Sequence, residues 1–336
     1  MLFQIATQGM TRLDDLQTEI GDLQKCVIRI FQQGPFDVEI LSRLLSFLLN
    51  IVDVATVDQA LKIISDIPHV TEFLIKFIMG AESAAKAKFE DDKLRNCALQ
   101  VIHKLLLKHK MSQPRLYTET LLGQLSAYGF IPALSSAWQG GQVASNLFTI
   151  QILELLSNLA KAQVSSSCGL SFVYEIMSDG NLSSMLSTCG SSHNSIIVEH
   201  VLKIHSHNVQ SYLLAGCLPD EYLTAFQICS LVVSILDKCD QHSFQAQAFA
   251  LYIIADIIEF SDHSSVGIEE LLQMNVFYLL TTYLIKCKNE KNFEEAQKIV
   301  DWIEECCPET VAYVSPRRLI PSETSTPIIS NLYFNI

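Results

Sequence analysis

Apolar residues in this chain recur at intervals of three and four. Leu13, Leu16, Ile20, Leu23, Val27 and Ile30 form one such series, which stops at Gly34-Pro35. That spacing winds a narrow apolar stripe along a helix. Comparable segments follow near 37–54, 57–66, 69–79, 91–110, 113–128, 130–138, 143–162 and 170–178, then near 194–215, 219–238, 243–260, 264–287 and 290–306. No stretch alternates with period two for long enough to demand a strand. The spacing predicts an all-α fold with short connections.

The punctuation agrees. Only 13 glycines and 9 prolines occur, mostly between the periodic segments. "TRLD" lets Thr11 cap a first helix with Asp14 reaching back, and "TVDQ" caps the helix from 57. Pro219, followed by Asp220 and Glu221, marks another start, because proline fits a first turn and carboxylates favour the positive end of the dipole. Residues 81–92 read as a loop or frayed extension. The serine-rich 163–192 holds a short helix or two and reads as a loosened repeat. With no sharp composition break, residues 1–309 are expected to form one helical domain. Residues 310–336, rich in Pro, Ser and Thr, are expected to form a flexible tail.

Hydrophobic residues make up 49% and charged residues 18%, which implies a large interior, and the net charge is −13. Such acidity opposes direct binding of nucleic acid. The densest basic run, "KLLLKHK" at 104–110, suits the last turn of a helix. Cys26, Cys97, Cys229 and Cys239 sit inside apolar helical patterns, and no CxxC pair occurs, so a reducing compartment is expected. The opening "MLFQIATQGM" lacks a basic region and a sustained apolar core, so no signal peptide is expected there. The longest apolar run, 44–52, falls well short of the ~20 residues of a membrane span. The expectation is a soluble protein of cytoplasm or nucleus.

The stretch "SSHNSIIVEHVLKIHSHNVQ" raises the question of a metal. His193, His200 and His207 are seven apart on the solvent side of the helix at 194–215, about 10.5 Å from one another along its axis. Two imidazoles sharing a metal need their nitrogens within roughly 4 Å, hence the i,i+4 spacing of helical zinc pairs. His205 falls on the apolar side. No GxSxG, GxxxxGK[ST] or GxGxxG motif occurs. Neither a metal, nor a cofactor, nor catalysis is expected. The acid pairs Glu269-Glu270, Glu294-Glu295 and Glu304-Glu305 read as solvated faces, or as an acidic docking surface for a basic partner.

Residues 129–160, "GFIPALSSAWQGGQVASNLFTIQILELLSNLA", combine an entry glycine, a proline in the next first turn, a break at Gly140-Gly141 and a long helix. Phe148, Ile152, Leu155, Leu156 and Leu159 share one face of that helix. Leu147, Ile150 and Leu153 cover much of the other, so it is expected to be buried between neighbours. This stretch resembles one armadillo repeat, and residues 67–80 with 93–109, and 274–307, echo it. The resemblance implies an armadillo-like right-handed α-solenoid whose third helices line a concave groove. In the family, asparagines on that helix hold the backbone of an extended peptide, and Asn158 stands at the matching position. Asn158 could equally bond to a neighbouring helix. Nuclear-import members carry tryptophan four residues earlier; here Glu154 stands there, which counts against that role and would suit a basic ligand.

The resemblance thus implies a non-enzymatic scaffold or adaptor that binds a protein segment in its groove. A regulatory or transport subunit switched through its tail is the alternative: Ser315-Pro316-Arg317-Arg318 and Thr326-Pro327 resemble proline-directed kinase sites, where phosphate would add about −2 of charge. A coiled-coil oligomer through the first helix is a further variant.

Overall fold

The computed structural model describes residues 25, 38–67, 69–79, 88–108, 115–140, 146–164, 166, 170–259 and 265–306. Outside them lie most of the expected first helix with Cys26, and the tail with Ser315 and Thr326. The described residues form sixteen α-helices and one short 3-10 turn, with no strand. After α1 (Val38–Val54) the helices fall into threes, two shorter and one longer. The first triplet is α2 (Val57–Asp66), α3 (Val70–Met79) and α4 (Lys88–Lys108). The second is α5 (Arg115–Ala127), α6 (Phe130–Gly140) and α7 (Asn146–Val164). The third is α8 (Ser171–Ser178), α9 (Gly180–Gly190) and α10 (Ser195–Leu214). The fourth is α11 (Asp220–Ala225), α12 (Ile228–Asp237) and α13 (Phe244–Glu259). The last is α14 (Ser265–Gln273), α15 (Val276–Lys286) and α16 (Glu290–Cys306). Contacts divide the chain into two compact units, whose boundary in sequence falls between Phe226 and Gln227.

In the first unit, helices of the same rank stack. α2 packs on α5, α3 on α6 and α6 on α9, while α1, α4, α7 and α10 pack in succession. Polar ties fix the register. Gln124 Nε2 of α5 donates to the Ile64 carbonyl of α2 at 2.9 Å, and Ser126 Oγ donates to Glu175 of α8 at 2.7 Å. Ser46 bonds Cys97, and Asp53 pairs with Lys104; both links join α1 to α4 across 51 positions, so the two helices run parallel. Burial supplies the driving force: Leu45, Ile51, Leu99, Ile102, Leu155 and Val201 are fully buried, each contributing about 1.5–3 kcal/mol. In the second unit, α12 packs on α13 and α15, and α13 and α15 both pack on α16. Buried Gln247 is its polar hub, donating to the Cys239 and His242 carbonyls and accepting from Tyr283 Oη at 2.8 Å.

Most helix ends obey local rules. Thr56 and Gln59 complete the capping box at α2. Gly129, with φ +74°, ends α5 in a left-handed conformation that glycine adopts freely, and Pro132 sits in the first turn of α6. Two ends do not. The segments expected as continuous over 219–238 and 264–287 are each split, at Gln227 (φ 50°) and Asn275 (φ 55°). The serine-rich 163–192 holds two short helices, as expected, and α8 and α9 stand as the two shorter members of a triplet.

Candidate functional site

On α7 Leu147 and Lys161 are exposed and Gln151 and Glu154 half-buried, with buried Asn158 on the same side. Steps of three and four residues make that row one face. α10 presents His200, Lys203, His207 and Gln210 in the same way, α4 presents Gln100 and Lys104, and α1 presents Asn50 and Asp53. Same-rank stacking lays these rows side by side. Leu147 departs from expectation: at 74% exposed it covers no neighbour, whereas Leu153 is buried and Ile150 half-buried.

Charge ties bridge the rows. Lys104 Nζ lies 2.6 Å from Asp53 Oδ1, and that hydrogen bond holds the Asp53 carboxyl below its usual range. His103 Nε2 of α4 lies 3.3 Å from Glu154 Oε1 of α7. The Glu154 carboxylate also acts on His200 of α10; burial lowers the proton affinity of that imidazole and Glu154 opposes the effect. Glu154 is therefore flanked by a histidine on each neighbouring helix. The sequence held no mark of this, because His103 and Glu154 are 51 residues apart.

One turn beyond Glu154, Asn158 is only 4% exposed, and its amide oxygen is buried with no partner among the described residues. Ser157 Oγ shares that condition. An unmatched buried acceptor costs about 1–3 kcal/mol. Bonding to a neighbouring helix, the structural alternative for this side chain, does not account for that oxygen.

The histidine-rich stretch divides as its spacing suggests. His193 is exposed ahead of the α10 N-cap, His200 and His207 lie on the outward row, and His205 is buried on the other side. Tyr222 Oη and His205 Nδ1 are 2.9 Å apart, and burial pushes the His205 pKa down to about 3. No group of three or more His, Cys, Asp or Glu among the described residues could hold a metal ion. No described helix is long and apolar enough to cross a membrane.

The second unit carries its own outward row: Phe249, Tyr252, Asp256 and Glu259 on α13, facing Glu295 on α16. Burial, then the charges of Glu259 and Glu295, push Asp256 up to about 7.

No family model and no curated protein sequence matches the chain. Solved structures match its fold. A computationally designed armadillo repeat protein for modular peptide recognition superposes at TM-score 0.58, with 16% identity, over 85% of this chain and 99% of its own. The fold is that of the armadillo-type helical repeats. A designed armadillo repeat protein in complex with the peptide (KR)4 superposes at TM-score 0.56, with 15% identity, over 85% of this chain and 98% of its own. Another, YIII(Dq)4CqI, gives TM-score 0.55 at 15% identity over 86% of this chain and 99% of its own. The triplet of two shorter helices and one longer recurs through the described residues between 57 and 306, beyond the stretches where the sequence echoed it.

Proposed function

We propose that this protein is a non-enzymatic scaffold whose first unit binds an extended protein segment across α4, α7 and α10. The observation that carries this reading is Asn158, whose buried amide oxygen has no partner among the described residues and which shares a face of α7 with exposed Leu147 and Lys161. An extended peptide offers a backbone N–H for such an acceptor, and the bond formed relieves the cost of burying it. Glu154, one turn away and 44% exposed, supplies a carboxylate for a Lys or Arg side chain of that segment. The similar fold of a designed armadillo repeat protein in complex with the peptide (KR)4 supports this reading.

Affinity purification with mass spectrometry, on wild type and Asn158→Ala, tests the reading. A partner that is lost with Asn158→Ala, while the thermal midpoint is kept, supports it. A full set of partners retained by the variant would place recognition elsewhere.

A further inference from the structure

We propose that His103 and His200 form a proton gate on this face, closing the Glu154 subsite to cationic side chains as the medium acidifies. The inference rests on the groove reading above and concerns its regulation. Three consecutive stacked helices take part: His103 on α4 pairs with Glu154 on α7, and the Glu154 charge reaches His200 on α10. His103 Nε2 is 3.3 Å from Glu154 Oε1. His200 Nδ1 is itself buried and unpartnered among the described residues.

While the imidazoles are uncharged, the Glu154 carboxylate is left to meet a ligand Lys or Arg. When the imidazoles take up protons, the carboxylate is neutralised from both flanks and a surplus positive charge faces the ligand. The ligand must then displace at least one proton to bind, and affinity falls with pH. Other charges facing these residues leave this sign intact. Lys104 is held by Asp53. On α10, Lys203 and Glu199 act on His200 in opposite senses, each less than Glu154 does. Lys161 lies two turns along α7, and its positive charge adds to the exclusion of a cation.

The test is made on the full chain with a Lys-Arg octapeptide as probe. NMR titration follows the ring C–H resonances of His103 and His200, and fluorescence anisotropy follows affinity from pH 7.5 to 5.5. In the wild type, saturating peptide lowers both histidine midpoints, and affinity falls about tenfold across the range. In folded His103→Gln/His200→Gln protein, affinity changes less than twofold across it. Glu154→Gln lowers both midpoints without any peptide. Midpoints indifferent to Glu154→Gln, or wild-type affinity equal at both pH values, would overturn the gate and leave the groove reading standing. No peptide binding at either pH, with folded protein, would overturn the basic-ligand reading and the gate with it.

Discussion

Lys108 is 8% exposed, a position where an ammonium is costly unless its N–H groups find acceptors. It finds them in the Asp53 and Ala55 carbonyls, at and just beyond the end of α1. A run that reads as dipole compensation at the end of its own helix thus caps another helix, 53 positions earlier in sequence in the case of Ala55. Lys108→Met keeps the aliphatic stem and strands those carbonyls, so it should lower stability by about 1–3 kcal/mol in urea denaturation. His205 gives a pH signature. Its folded-state pKa of about 3 lies below the ordinary histidine value, so the unfolded chain takes up the proton first as pH falls. Stability through this group is therefore full above pH 6.5 and is lost between 6.5 and 3, by about 2 kcal/mol on going from pH 7 to 5. Denaturation of His205→Gln should show that much less change over the same interval, although the loss of the Tyr222 bond lowers its stability at neutral pH.

Helix boundaries were legible where they rest on local chemistry. Thr56 with Gln59, Gly129 before Pro132, and Pro219 before two acids each announce an end in the residues themselves. Gln227 and Asn275 do not, for a non-glycine residue takes the left-handed conformation only when its surroundings impose it. Glycine accepts that conformation without strain, so Gln227→Gly should raise stability slightly, by up to about 1 kcal/mol, whereas Gln227→Val should lower it by more than 1. Thermal melts of the two variants would show midpoints moving in opposite directions. Pairing between helices leaves no local trace either. Asp256 on α13 meets Glu295 of α16, and its pKa of about 7 lies above the unfolded value, so the folded state holds the proton longer. That group weakens folding progressively as pH rises from about 4 through 7. Asp256→Asn should therefore stabilise at pH 8, by on the order of 1 kcal/mol, and not at pH 4.

At the scale of the molecule, the repeat architecture was legible from one stretch, 129–160, because glycine, proline and a long apolar helix coincide there. The remaining triplets were blurred by breaks at Gln227 and Asn275, which are neither glycine nor proline, and by the serines of α8 and α9, which occupy ordinary helical positions. Periodicity marked α7 as apolar nearly all round, and Asn158 was singled out only through the armadillo resemblance; the outward row itself emerged from the fold. The burial of Asn158, and the histidines flanking Glu154, are products of stacking and could be read only from the fold. Stacked triplets with side-by-side third helices make a surface suited to an extended chain, and a claim about that surface is tested most directly by selection. Random peptides displayed against the wild type would be selected, and the equilibrium affinity of the winners compared with that for Asn158→Ala and Glu154→Lys. The account predicts winners enriched in Lys and Arg, bound about tenfold more weakly by Asn158→Ala, the weight of one hydrogen bond, and more weakly still by Glu154→Lys. Winners bound equally by all three folded proteins would contradict it.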